Sequence, residues 1–269
     1  MTIPPLSRSH LRIGDIDCAY ATFGGDDVAQ PVILALHGWG ASADLITPLA
    51  ARLATKGFRI IAPDLPGFGE SAPPPQTWSV YDYADHVLRF MDELNLERLN
   101  LFGHSFGGRL ALVLGAQHPQ RVSSIALSNS AGVPPHKDPI VQARTSLYKG
   151  VRDGLKAVGL TTLSDKLRDT YVTRYASADY KSAGVLRDSF VKIVNEDLLP
   201  YAARVSAPTL LIWGAKDEDT PLWQGQKLQT TIPNAGIVVY DDAGHYSYLD
   251  RLGDVVATLD YFYKHPTGG

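Results

Sequence analysis

Between residues 99 and 114 an apolar run stops at Gly103, a serine follows at 105, glycines return at 107 and 108, and a second apolar run begins. Gly103-His104-Ser105-Phe106-Gly107 fits G-x-S-x-G, a strand-turn-helix elbow that lifts a serine above a parallel sheet. The pentapeptide recurs by chance; a strand before it and a helix after it make it specific. Such an elbow holds its serine in a strained backbone conformation, and a Cβ at either flanking glycine would collide with the neighbouring strand or helix. A helix beginning near Phe106 aims free N–H groups and a positive dipole end back at the serine, where they can stabilise an oxyanion.

Around this stretch the chain alternates strand and helix patterns. Residues 8–23 alternate apolar and polar with a turn near Gly14-Asp15 and predict a hairpin, followed by a loop at Gly24-Gly-Asp-Asp27. Residues 31–36 are a continuous apolar run, as expected of a strand buried on both faces, and 58–62 are expected to be the next strand. A helix is expected over 47–56, closed by Gly57, and another over 79–94, with Ser79 as N-cap and Asp82 three residues on. A sixth strand is expected at 122–127. Residues 133–200 then read as helices only, most clearly at 183–194, where Val185, Leu186, Phe190, Ile193 and Val194 would share a face. The rhythm resumes with strands at 208–213 and 237–240 and helices near 222–230 and 254–263. The pattern predicts an α/β protein, a mostly parallel doubly wound sheet with a helical cap inserted after the sixth strand. Residues 1–132 and 201–269 would form the core and 133–200 a lid over the carboxyl edge of the sheet, where ligands bind in such folds; the alternative is helices packed away from the site.

At 269 residues the length suits one large domain or two small ones. A net charge of −3 with no basic stripe argues against nucleic acid as a partner. Residues 133–200 nevertheless carry eleven Lys and Arg against eight Asp and Glu, a surplus that could steer acidic substrates or could be the solvated faces of amphipathic helices. The single cysteine, Cys18, excludes an intrachain disulfide, fits a reducing compartment, and reads as structural. The first residues lack the apolar segment of a secretory signal, and no stretch approaches a membrane span, so the expected location is the cytoplasm with no membrane partner. No His/Asp/Glu cluster has metal-ligand spacing, and Gly67-Phe-Gly69 lacks the third glycine of a dinucleotide fingerprint, so neither a metal nor a cofactor is expected.

A serine hydroxyl needs a base, and the base a group to orient it. Of eight histidines, His245 is best placed, in Ala243-Gly244-His245 just after the last strand. For the acid, the loop after the strand at 208–213 offers Asp217, Glu218 and Asp219, whereas the end of the sixth strand carries Ser128-Asn129-Ser130 and no carboxylate.

Four blocks together resemble the α/β-hydrolase fold superfamily over nearly the whole chain: His37-Gly-Trp-Gly40, Asp64-Leu-Pro-Gly-Phe-Gly-Glu-Ser71, Gly103-His-Ser-Phe-Gly-Gly108, and Trp213-Gly-Ala-Lys-Asp217 with Pro221 and Gly244-His245. The resemblance implies a triad of Ser105, Asp217 and His245, with Asp219 the runner-up for the acid, and an oxyanion hole from the backbone N–H groups of Trp39 and Phe106, whose side chains would line the pocket. It also implies structural hydrogen-bonding roles for His37 and His104 and a loop-bracing role for Asp64. Serine at 105 disfavours the dehalogenases and epoxide hydrolases of the superfamily, which use aspartate there. The implied activity is hydrolysis of small or medium acyl esters, a small-molecule substrate without a cofactor. The alternative is carbon–carbon hydrolysis of ring-cleavage products, although relatives of that kind have Asn before the nucleophile and Trp after the histidine, where this chain has His104 and Tyr246. Proline iminopeptidases and non-enzymatic ligand receptors of the superfamily fit the elbow less well, since the first usually read Gly-Gly-Ser-Trp-Gly and the second His-Ser-Val-Ser.

Overall fold

The computed structural model describes residues 7–25, 30–134, 139–175 and 177–266; the parts of the expected 24–27 loop and 133–200 lid that fall on 26–27, 135–138 and 176 lie outside them. The chain opens on a hairpin of β1 (Ser7–Ile13) and β2 (Ile16–Phe23), turned at Gly14, whose φ of 59° favours glycine. The strands β3 (Val32–Leu36), β4 (Arg59–Pro63), β5 (Leu99–His104), β6 (Val122–Ser128), β7 (Thr209–Gly214) and β8 (Ala235–Tyr240) complete an eight-stranded sheet in the order β1-β2-β4-β3-β5-β6-β7-β8. β2 meets both β1 and β4 antiparallel, and every other pairing is parallel. This is the doubly wound sheet that the alternation predicts. β5, which carries the elbow, lies fourth from the β8 edge: Gly103 is paired with Leu36 of β3 on one side and Leu127 of β6 on the other.

The continuous apolar strands work because a strand sends successive side chains to opposite faces. Leu34 and Leu36 of β3, Leu101 of β5, and Leu211 and Trp213 of β7 enter one core with α2 (Val80–Glu93), α3 (Phe106–Gln117) and α9 (Leu222–Thr231). Ile33, Ala35, Phe102, Leu210 and Ile212 enter the other, with α1 (Ala43–Ala54) and α10 (Leu252–Lys264). Ser79 and Asp82 form a reciprocal capping box at the start of α2, as expected. α1 starts four residues before the expected 47, because Ser42 accepts the Asp44 N–H and caps it there; Pro48 lies inside the helix rather than in its first turn.

Between β6 and β7 the described residues contain helices and no strand: α4 (Pro139–Ala157), α5 (Thr161–Tyr175), α6 (Ala178–Ser182), a 3₁₀ turn at Gly184–Leu186, α7 (Arg187–Val194) and α8 (Leu199–Ala202). The shared face expected over 183–194 is broken. The 3₁₀ turn changes the angular step, so Leu186 and Ile193 are buried while Val185 is 89% exposed. α8 crosses the division expected at 200 and 201, with Leu198, Ala202 and Val205 buried in the same core as β5 and α3. No helix of the described residues is long and apolar enough to cross a membrane.

Cys18 is buried and unpaired, its Sγ 3.6 Å from the Asp64 carbonyl, and burial pushes its thiol up to about 11. Asp64 is fully buried and braces its loop: Oδ1 accepts the Ala43 N–H at 2.7 Å and Oδ2 the Glu70 N–H at 2.9 Å.

Three buried histidines bear on acid stability. Burial lowers His37, takes His86 down to about 4 with Arg89 adding to it, and takes His104 down to about 3 with His245 adding to it. All three are depressed in the folded state, so their contribution is full above the ordinary histidine value of 6.5 and is lost as pH falls toward the folded values, because the unfolded chain takes up the protons first. His104 alone accounts for roughly 2 kcal/mol between pH 7 and pH 5. Urea melts at the two pH values should show at least that loss, and equal midpoints would contradict the buried neutral assignments.

Candidate active site

The elbow begins where β5 ends. Ser105 has φ 50° and ψ −106°, one of three non-glycine residues with positive φ among those described, a conformation worth about 1–3 kcal/mol of strain. Its hydroxyl makes no capping bond to α3. A Cβ on Gly103 would sit 2.6 Å from the Gly107 carbonyl oxygen, and one on Gly107 would fall on the carbonyl of Leu36. The glycines are therefore needed for close approach, since α3 lies against β5 and β3 where any side chain would intervene.

His245 lies on the loop after β8. Its Nδ1 is 2.9 Å and 3.1 Å from the two oxygens of Asp217, a fully buried side chain on the loop after β7. Asp217 is held from several directions. Oδ1 accepts the N–H groups of Asp219 and Thr220, each at 2.9 Å, and Oδ2 accepts Asn129 Nδ2 and the Thr220 hydroxyl, each at 2.6 Å. Burial pushes this carboxyl up, but the hydrogen bonds from His245 and Thr220 outweigh it and hold it below the usual carboxylate range. A carboxylate so supplied favours an Nδ1–H tautomer at His245, which leaves Nε2 free to accept a proton.

Ser105, His245, Trp39 and Phe106 all line one cavity of about 370 Å³, within the range of small-molecule sites. Trp39 and Phe106 meet edge to face with ring centroids 5.4 Å apart, so both side chains form its wall, as expected. The segment between β6 and β7 closes another side through Ser177, Ala178, Asp179, Phe190, Ile193 and Val194, and this is where Val194, expected in a buried face, spends its exposure. Asp219 lines the cavity too but gives no side-chain hydrogen bond to His245; its backbone N–H supports Asp217 instead. Asp217 itself is behind His245 rather than in the cavity wall.

The two neighbouring histidines are tied to backbone. His37 sits with Nδ1 2.7 Å from the Gly38 carbonyl and Nε2 accepting the Leu65 N–H at 2.9 Å, which joins the loop bearing Trp39 to the loop braced by Asp64. His104 donates from Nδ1 to the Ser128 carbonyl at 3.1 Å, and its ring lies 4.9 Å from that of His245.

Two positioning residues escaped the sequence reading. Asn129, in the left-handed region with φ 47°, gives Nδ2 to Asp217 and to the Gly244 carbonyl at 3.2 Å, and its Oδ1 accepts the Ser247 hydroxyl. It therefore links the acid loop, the histidine loop and the end of β6. The signal was present: an asparagine stands where a carboxylate was sought and not found. Thr220 carries no comparable mark in the sequence. Among the described residues one group of donors lies close enough for a metal, Asp217, Asp219 and His245, brought together by folding despite their lack of ligand spacing. Both Asp217 oxygens are already engaged by four hydrogen-bond donors besides His245, which suits an acceptor for imidazole rather than an open ligand.

Residues 31–252 match the family described as the alpha/beta hydrolase fold. The chain is 30% identical over 246 residues to the 2-hydroxy-6-oxononadienedioate/2-hydroxy-6-oxononatrienedioate hydrolase of Cupriavidus pinatubonensis, covering 83% of each protein. It is 28% identical to the 2-hydroxymuconate semialdehyde hydrolase of a Pseudomonas species, covering 85% of this chain and 87% of that one. Among solved structures, the enol-lactonase of Burkholderia xenovorans superposes with a TM-score of 0.73 at 25% identity, over 96% of this chain and all of that one.

Proposed function

This chain belongs to the alpha/beta hydrolase fold family, and from that premise we propose that it is a serine hydrolase acting on small or medium acyl esters through Ser105, His245 and Asp217. The observation that carries the reading is the buried Asp217 carboxylate at 2.9 Å from His245 Nδ1, in a cavity that the strained Ser105 also lines. Ser105 Oγ attacks the ester carbonyl as His245 Nε2 takes its proton, and Asp217 stabilises the imidazolium that forms. The backbone N–H groups of Trp39 and Phe106 receive the negative charge on the carbonyl oxygen. The tetrahedral adduct collapses, the C–O bond to the alcohol breaks, and His245 returns the proton to the leaving oxygen. Water then attacks the acyl-enzyme by the same route in reverse roles, giving the acid and free Ser105. Residues 133–200 serve as the lid of this cavity, a reading that the seven lining residues they contribute support.

The activities of two relatives support a second reading, carbon–carbon hydrolysis of a vinylogous diketone. A panel of chromogenic esters of graded acyl length, assayed beside such a diketone, separates the two. The ester reading predicts turnover of short and medium esters with no cleavage of the diketone. Diketone cleavage faster than any ester reverses the assignment, and binding of either without turnover would point to a receptor.

A further inference from the structure

α3 is apolar along most of its length, with one exception. Arg109 interrupts the run from Phe106 to Leu114, and it is 6% exposed, a cation inside the protein. It is the fourth residue of α3, about one turn in from the Ser105 elbow. Helical side chains lean back toward the preceding turn, which carries this guanidinium toward the elbow, and Arg109 is part of the wall of the cavity that holds Ser105 and His245.

Buried guanidinium groups are ordinarily matched by a carboxylate, because an isolated charge is expensive to remove from water. Among the described residues Arg109 has no ion pair within 4 Å and one hydrogen-bond partner, the backbone carbonyl of Glu196, which accepts from Nη1 at 3.1 Å. The Glu196 carboxylate is turned to another task, accepting the Tyr81 hydroxyl at 3.3 Å. Most of the five guanidinium N–H donors are therefore unspent within the protein. Burial lowers the group only to about 10, the Glu196 charge opposing, so it is cationic at neutral pH. The acidic residues of the cavity lie elsewhere: Asp179 and Asp219 act on each other and on Tyr246 beside His245, and neither forms an ion pair with Arg109. The cavity is thus polarised, with a cation that has no ion pair on the α3 wall and two carboxylates on the His245 wall.

We infer that this cavity takes substrates bearing a carboxylate in addition to the scissile carbonyl, and that Arg109 binds that carboxylate and so sets which end of the substrate faces Ser105. The guanidinium fork matches a carboxylate bidentately, and the desolvated site strengthens the contact. Asp179 and Asp219 repel the same group and enforce the orientation. The inference rests on the hydrolase reading of Ser105 and narrows its substrate class.

The test compares matched esters that differ in one charge. Monomethyl glutarate against dimethyl glutarate places the carboxylate on the acyl side, and the acetate ester of 3-hydroxypropanoate against that of its amide places it on the alcohol side. In the wild type, kcat/KM should favour the carboxylate roughly 10- to 100-fold in at least one pair. Arg109→Met should bring that ratio to one or below, and Arg109→Lys should restore part of it. If Arg109 only ties the Glu196 carbonyl to α3, Arg109→Met slows both esters of a pair equally and the ratio stands, which overturns the inference. A ratio near one in the wild type for both pairs overturns it too. So does a preference that vanishes near 1 M salt, where the Debye length is about 3 Å, since that belongs to the exposed cations of residues 133–200. The hydrolase reading fails separately, by absence of turnover and of Ser105 labelling by a fluorophosphonate. In that event calorimetry decides: glutarate should bind the wild type at least about 10-fold more tightly than Arg109→Met, with glutaramide showing no such difference, and equal binding overturns the inference.

Discussion

Ser105→Ala should lower kcat for the best ester by about 10³-fold or more while leaving the fold in place. The loss follows from chemistry that nothing else in the cavity supplies. His245 and Asp217 would still form their pair, and the proposed oxyanion-hole N–H groups would remain in place, but water would have to replace an oriented nucleophile. The residual rate would measure that preorganisation. Folding should be spared for two reasons. The Ser105 hydroxyl caps no backbone group, so its removal orphans nothing in α3. Alanine also meets the same steric penalty at φ 50° as serine does, so the strain is neither added nor relieved. The measurement is a steady-state assay beside a thermal melt, with fluorophosphonate labelling located by peptide mass. Near-normal activity in the variant, or labelling at another serine, would remove Ser105 from the mechanism. A large fall in melting temperature would instead show that the hydroxyl has a structural partner.

The parts of this arrangement that were legible in the sequence are those whose cause is local. The glycines at 103 and 107 report a close approach between β5, β3 and α3, and the buried runs of β3, β5 and β7 report a sheet covered on both faces. His245 and Asp217 could be proposed because each follows a strand whose carboxyl end faces the elbow. α4 and α5 were not delimited, for a physical reason. Leu147, Val151 and Leu163 are exposed, so the apolar residues of these helices do not gather into the buried stripe that marks a helix against a core. Asn129 and Thr220 do work defined by partners: Asn129 meets Asp217 from a position 88 residues away, so its place at the end of β6 marks the position without disclosing the contact, and nothing near Thr220 marks it at all. Arg109 did leave a trace, a single charge in an apolar helix, and its meaning needed the cavity to be seen.

Asp217→Asn should cost about 10³- to 10⁴-fold in kcat, whereas Asp219→Asn should change it by no more than a few-fold. The two residues are neighbours on one loop, both line or border the site, and both are acidic, so charge alone would make them equivalent. Hydrogen bonding does not. Asp217 accepts from Asn129, Thr220 and two backbone N–H groups as well as from His245, and every one of these partners is a donor. An asparagine at 217 offers one oxygen and one NH₂ to that set. If its NH₂ takes the place of Oδ2, 2.9 Å from His245 Nδ1, the imidazole must present Nδ1 as an acceptor and carry its proton on Nε2, and the donors of Asn129 and the Thr220 hydroxyl are opposed as well. That tautomer points a proton at Ser105 instead of a lone pair, and the base is lost. If the amide turns the other way, its oxygen keeps Asn129, the Thr220 hydroxyl and His245, but its NH₂ opposes the backbone N–H groups of Asp219 and Thr220 inside the protein, and the loop loses stability instead. Asp219 contributes its backbone N–H to Asp217, which an asparagine retains, and its exposed side chain touches the base only through its charge. Measured kcat for the two variants, with ¹⁵N shifts of His245 reporting the tautomer, decides between them. Equal losses would mean that the acids act as a joint field rather than through one oriented bond, and a larger loss at Asp219 would make that residue, not Asp217, the acid of the proposed triad.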